Sequence, residues 1–255
     1  MSSAPQQEII YEHIDAPADL NDVLDSIWML HNDTAEAKEV VILPDGRIDL
    51  FLYRSAEEPF TLRLMGMSTA PDQTSILPHT LMFAISFKPL ATEYVLQQTV
   101  SEITDSAREL PAGFWDFTEA DLADFKAFTE KAIQKVKEQV IPEIDERKRN
   151  LFQLIHAASG EVSIQALSDQ VFWSSRQINR YFTQQYGLSL KTYCSILRFR
   201  ASFEQIKEGE LYPDAQFTDQ SHFIKAVKKL AGVSPKMLQQ NKNDRFIQFS
   251  TLAQK

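Results

Sequence analysis

The chain has 255 residues, more than one domain usually holds, and an ordinary globular composition of 44% hydrophobic and 24% charged residues. No apolar run approaches the ~20 residues needed to cross a bilayer; the single cysteine, Cys194, rules out an intramolecular disulfide or a cysteine-rich zinc site and fits a reducing compartment. The net charge of −9 is unevenly spread: residues 147–255 hold 16 Lys+Arg against 8 Asp+Glu, a net of +8, which leaves −17 for the rest, so only the second part suits a polyanionic partner. The first residues, Met1–Gln7, show neither a basic nor an apolar leader segment, so a cytoplasmic protein is expected.

In chain order, residues 1–112 read as mainly β. Short strand-like runs are expected at Glu8–Ile14, Val40–Leu43, Ile48–Tyr53, Phe60–Met67 and Met82–Phe87. The turn signal Pro44-Asp45-Gly46 suggests a hairpin before Ile48. Two helices are expected to interrupt the sheet. One is Ala18–His31, with Leu20, Val23, Leu24, Ile27, Trp28 and Leu30 at helical spacing, and the other is Leu90–Thr99 after Pro89. Residues 117–146 read as a helical connector capped by Thr118 and ended by Val140-Ile141-Pro142. A stiff joint follows, so the boundary is placed between an acidic part, 1–146, and a basic part, 147–255.

From residue 147 the pattern is helix after helix, giving an α+β fold class with an all-α C-terminal part. Ser163 can cap Ile164–Val171, and Ser174 can cap Ser175–Tyr186, which Gly187 closes. A longer helix is expected from Leu190 to Glu208, capped by Ser189 and closed by Gly209. Another begins near Asp219 and runs to Ala231, followed by Gly232 and by Ser234-Pro235 at a further helix start. Residues 164–182 thus form two helices about a tight turn, with Ile164, Leu167, Val171, Ile178 and Phe182 able to share a core. The second helix offers Ser175, Arg176, Gln177, Asn179 and Arg180 along its first half. Arg can pair bidentately with guanine and Asn or Gln with adenine, which suits major-groove readout.

The run Ser174-x-Arg176-Gln177-Ile178-x-Arg180-x-Phe182, then Gly187-x-Ser189, Tyr193, Arg198 and Ala201, resembles the first half of an AraC/XylS module. Phe217-x-Asp219-Gln220-Ser221-His222-Phe223-x-Lys225, then Lys228 and Gly232-Val-Ser-Pro235, resembles its second half. The resemblance covers about residues 147–240 and implies two helix-turn-helix units on one DNA face, in a bacterial transcription regulator. It carries base contact to Arg176, Asn179 and Arg180, and in the second unit to Gln220, Ser221 and Lys225, with Ser174, Ser175, Gln177 and His222 at the same surface. It implies an operator duplex as partner, with RNA polymerase, a homodimer through the N-terminal part and an unidentified small-molecule effector as further partners, and no cofactor, metal or membrane. For Arg180 phosphate contact is the rival role, and Arg198 is expected to be structural or phosphate-facing.

Two departures stand out. Phe172 takes the turn position where the resembled family has glycine, so it must either adopt a left-handed conformation or reshape the turn. Only Glu210–Gln216 separates Gly209 from Phe217, too short for a full first helix and turn in the second unit. The N-terminal part, through Leu43-Pro44-Asp45-Gly46, Asp49-Leu50, Gly66 and Ser86-Phe87-Lys88-Pro89, resembles a domain of unknown function found ahead of such modules. Catalysis is disfavoured: the histidines lack metal-ligand spacing, and the one conceivable cluster is Asp45, Asp49 and His79. An adaptor that has lost DNA binding is the other alternative, motivated by the shortened second unit.

Overall fold

The computed structural model describes residues 9–210 and 220–250. Strands β1 (Ile10–Asp15), β2 (Leu24–His31), β4 (Ile48–Arg54), β5 (Thr61–Met65), β7 (Leu81–Phe87) and β8 (Ala107–Glu109) form one antiparallel sheet in the order β1-β2-β7-β4-β5-β8. Strands β3 (Lys38–Ile42) and β6 (Asp72–Ile76) pair separately. Period-two alternation along β4 divides the large sheet into two faces: Ile48, Leu50 and Leu52 are buried on one, and Asp49, Phe51 and Tyr53 line a cavity on the other.

The sequence expectations need correction in three places here. Ala18–His31 is not a helix: a single 3-10 turn at Ala18–Leu20 leads into β2. Both faces of β2 are covered, so its apolar residues lack simple alternation and imitate helical spacing. The Leu90–Thr99 helix shrinks to one turn, α1 (Ala91–Tyr94), because Gln97 turns left-handed at φ 51 and sends the chain off the helical path. No hairpin joins β3 to β4, since β3 pairs with β6 and β4 lies between β5 and β7.

Helix α2 (Phe125–Gln139) is capped by Asp124, whose side chain accepts from Ala127 N at 3.0 Å; Thr118 instead starts the preceding 3-10 helix. Helices α3 (Glu146–Ala157), α4 (Ile164–Val171), α5 (Ser175–Tyr186) and α6 (Leu190–Ala201) follow. The expected Leu190–Glu208 helix divides at buried Ser202 into α6 and α7 (Phe203–Glu208). Ser202 Oγ bonds back to Phe199 O at 2.7 Å, a local bond that bends helices. Helices α8 (Gln220–Ala231), α9 (Pro235–Gln240) and α10 (Ile247–Ser250) complete the described chain. The start of the α8 expectation at Asp219 and the shortened stretch before it lie outside the described residues.

One apolar cluster runs from Leu20 and Leu50 through Phe128 to Leu151, Phe182 and Tyr193, crossing the boundary at residue 146. A second joins Val41 and Leu43 to Ile196, Phe199, Phe223, Val227 and Phe246. The α+β architecture therefore has its β part and its helical part packed on a shared interior.

Candidate nucleic-acid interface

Each half of the first unit begins with a serine that satisfies orphan backbone donors. Ser163 Oγ accepts from Ala166 N at 3.0 Å to start α4. Helix α4 ends on Phe172, which adopts the left-handed conformation (φ 55, ψ 34) with its ring 86% exposed. Ser168 Oγ donates to Trp173 O at 2.6 Å and holds the turn closed. A reciprocal capping box then opens α5: Ser174 Oγ accepts from Gln177 N at 3.3 Å, and Ser174 N donates to Gln177 Oε1 at 2.9 Å.

Helix α5 buries Ile178, Tyr181, Phe182 and Tyr186 against Leu167, Val171 and Phe152. Ile164, expected in the same core, is only partly buried. The opposite face exposes Arg176, Gln177, Arg180, Thr183 and Gln184. The ten sequence-predicted residues thus separate by role. Ser174 and Gln177 are occupied by the cap. Asn179 is half-buried and turns its Nδ2 back to Ser175 O at 3.0 Å, so the outward cationic donors on α5 are Arg176 and Arg180. Sequence reading missed Gln184, although it lies four residues beyond Arg180 on the same stripe.

Helix α8 buries Phe223, Val227, Leu230 and Ala231 and exposes Gln220, Ser221, His222 and Lys225, together with Lys228 and Lys229. Ser234 Oγ caps α9 at 3.4 Å from Met237 N, with Pro235 in the first turn. Arg198, on α6, is half-buried, and its Nε has no hydrogen bond among the described residues.

The N-terminal part grips these helices from behind. Val100 N donates to Gln185 O at 2.9 Å, and Thr104 Oγ1 donates to Tyr186 O at 2.8 Å. A Cβ on Gly187 would stand 2.1 Å from that Thr104 oxygen, so only glycine allows this close approach at φ +74. Tyr181 OH donates to Glu93, which also pairs with Lys148. Farther along, the Pro44-Asp45-Gly46 turn docks on α6: a Cβ on Gly46 would meet Tyr193 Cε2 at 3.1 Å and Leu197 Cδ2 at 3.3 Å. Arg47, next in the turn, pairs with Asp45 and reaches Asp25 Oδ2 at 3.2 Å, and Arg200 of α6 reaches the same oxygen at 3.3 Å. Burial pushes the Asp25 carboxyl up, but Arg200, Arg47 and Lys88 outweigh it and hold it at about 2.

A cavity of about 540 Å3 lies between the large sheet and the β3–β6 pair, within the range of small-molecule sites. Asp45, Arg47 and Asp49 form part of its wall, and Ile247 and Gln248 close one side. Asp45, Asp49 and His79, the one conceivable but disfavoured cluster, are engaged elsewhere: Asp45 pairs with Arg47, whereas His79 faces Asp33 at 3.9 Å. Among the described residues, no group of three His, Cys, Asp or Glu side chains is placed to hold a metal ion, and no helix is long and apolar enough to cross a membrane.

Residues 167–241 match the family described as a helix-turn-helix domain, and residues 12–109 match a domain of unknown function, DUF6597. No curated relative matches the chain. Solved structures of ToxT from Vibrio cholerae are similar at 10% identity. An apo variant from strain SCE256 covers 92% of this chain and 97% of its own, with a TM-score of 0.42, and a form from strain O395 covers 93% and 100%, with a TM-score of 0.40. Likeness at that level carries no argument about function. With a DUF6597 domain in front and an AraC-type helix-turn-helix domain behind, the chain is a DNA-binding transcription regulator.

Proposed function

We propose that α5 enters the major groove of an operator and reads bases through Arg176 and Arg180, while α8 supports it from an adjacent groove through Gln220, Ser221, His222 and Lys225. The observation that carries this reading is the α5 surface: two exposed guanidinium groups on a rigidly capped helix whose other face is buried. Arginine forks match guanine O6 and N7. Asn179, bonded to its own helix, becomes a helper of helix geometry, and Ser174 and Gln177 preorganise the first turn, whose N–H groups suit a phosphate.

In the same reading residues 1–146 form the sensory part and 147–255 the DNA reader, in a cytoplasmic protein without catalytic activity. The 540 Å3 cavity receives the effector. Edge strand β1, with Ile10 and Ile14 exposed, offers a surface for pairing two chains, and RNA polymerase is the partner of the bound regulator.

Selection of random duplexes on the full-length protein tests this. An enriched motif is expected, and it should vanish in the Arg176→Ala/Arg180→Ala double variant. Salt-sensitive binding without any enriched motif would remove the operator-reading claim.

A further inference from the structure

Building on the effector-site reading, we infer that the cavity takes an organic cation, an arylalkyl ammonium in size and chemistry, with Asp49 as counter-ion and Tyr11, Trp28 and Phe51 as walls.

The charge inventory of the cavity wall gives the sign of the ligand. Among the described residues two cations line it, and both are already engaged. Arg47 is forked onto Asp45, with Nε at 2.8 Å from Oδ2, and its remaining nitrogen reaches Asp25. Arg63 pairs with Glu58 at 3.0 Å and lies over the Tyr53 ring at 5.3 Å. An entering carboxylate would find no unpaired positive group there. Asp49 is the opposite case. One of its oxygens accepts from Ser86 Oγ, which in turn accepts from Trp28 Nε1 at 2.9 Å; the other makes no hydrogen bond among the described residues. Burial pushes the Asp49 carboxyl up to about 6 despite nearby Arg47, so a cationic partner would replace solvation that the site withholds.

The aromatic wall gives the class of cation. Trp28 meets Phe51 edge-on at 5.7 Å and Tyr11 at 6.0 Å. Among the described residues, no lysine or arginine stacks on these three rings, whereas neighbouring Tyr53 has Arg63. Aromatic faces beside a buried carboxylate favour ammonium groups that carry apolar substituents over small hydrated ions. A volume of about 540 Å3 accommodates one aromatic ring with a short alkyl arm.

Four probes of similar shape, titrated calorimetrically into the full-length protein, test the assignment: 2-phenylethylammonium, benzyltrimethylammonium, neutral 2-phenylethanol and anionic 3-phenylpropionate. The cations should bind at least about ten-fold more tightly than the alcohol, which at ~1.4 kcal/mol per decade is within the span of one ion pair. Asp49→Asn should erase that preference, with cations and alcohol then binding alike on the variant, and tryptophan fluorescence recorded in parallel should change on cation binding in the wild type but much less in Trp28→Phe. The wild-type ranking is informative even if Asp49→Asn does not fold. Tighter binding of 3-phenylpropionate, or a cation preference that survives Asp49→Asn, overturns the cation assignment but leaves an effector cavity. Failure of all four probes to saturate overturns both.

Discussion

Helices α5 and α8, to which we assign DNA contact, are built differently. Helix α5 has a reciprocal cap, an aromatic underside and two exposed arginines, and its C-terminal end is clamped by Thr104 and Val100. Helix α8 has a comparable buried stripe, but its basic residues are Lys225, Lys228 and Lys229. Arginine presents a planar fork that distinguishes bases, whereas lysine is a flexible point charge suited to phosphate. The difference teaches that sequence preference should reside mostly in the first unit, and salt-dependent affinity mostly in the second.

The largest expected effect comes from breaking the clamp beneath α5. Gly187→Ala places a Cβ against Thr104 and Ser101 at a left-handed φ, and should cost about 2–4 kcal/mol in chemical unfolding; a loss within experimental error would mean the clamp is dispensable. Arg176→Ala should weaken operator binding by about 1–3 kcal/mol and relax preference at one base pair. An equal loss on all duplexes would reassign Arg176 to phosphate. Lys225→Ala should sharpen the contrast: binding falls uniformly across sequences, and the slope of log K against log salt drops by about one. A base-specific loss there would merge the roles of the two helices. Ser174→Ala should lower stability by about 1 kcal/mol through the lost cap, read as a shift in denaturant midpoint. The smallest effect is a gain: Phe172→Gly relieves a left-handed, exposed residue and should stabilise by less than about 1 kcal/mol.

Much of the helical part was legible because its signals are local. Serine caps at 163, 174, 189 and 234, and glycines 187 and 209 in left-handed positions, stand where the sequence places them. The outward stripe of α5 was legible for the same reason, as was the left-handed choice open to Phe172. What escaped in the sheet depends on contacts between distant residues. Strand β2 is covered on both faces, so its spacing imitated a helix. Strand β6, Asp72–Ile76, is largely polar, and its partner β3 lies more than thirty residues away by register (Lys38 with Ile76). Within the site, the bond from Asn179 to Ser175 O depends on rotamer, which residue identity does not specify. At the acidic turn, catalysis was already disfavoured from sequence; the part that residue types did not show is that Arg47 links the turn through Asp25 to Arg200 of α6.

The side of the cavity closed by Gln248 has a consequence for how the molecule is made. Val41 N donates to Arg245 O at 2.6 Å, and Leu43 both donates to and accepts from the Gln248 side-chain amide at 2.9 Å, across a sequence separation of 205 residues. Contacts this remote form late, after local helices and hairpins. During synthesis, strand β3 must wait with its outer edge unpaired until helices α3 to α9 have emerged, and an unpaired edge is where strands from other chains add. The β part is thus completed by the helical part, and a chain clipped before residue 245 would carry an open-sided cavity and a strand edge ready to aggregate.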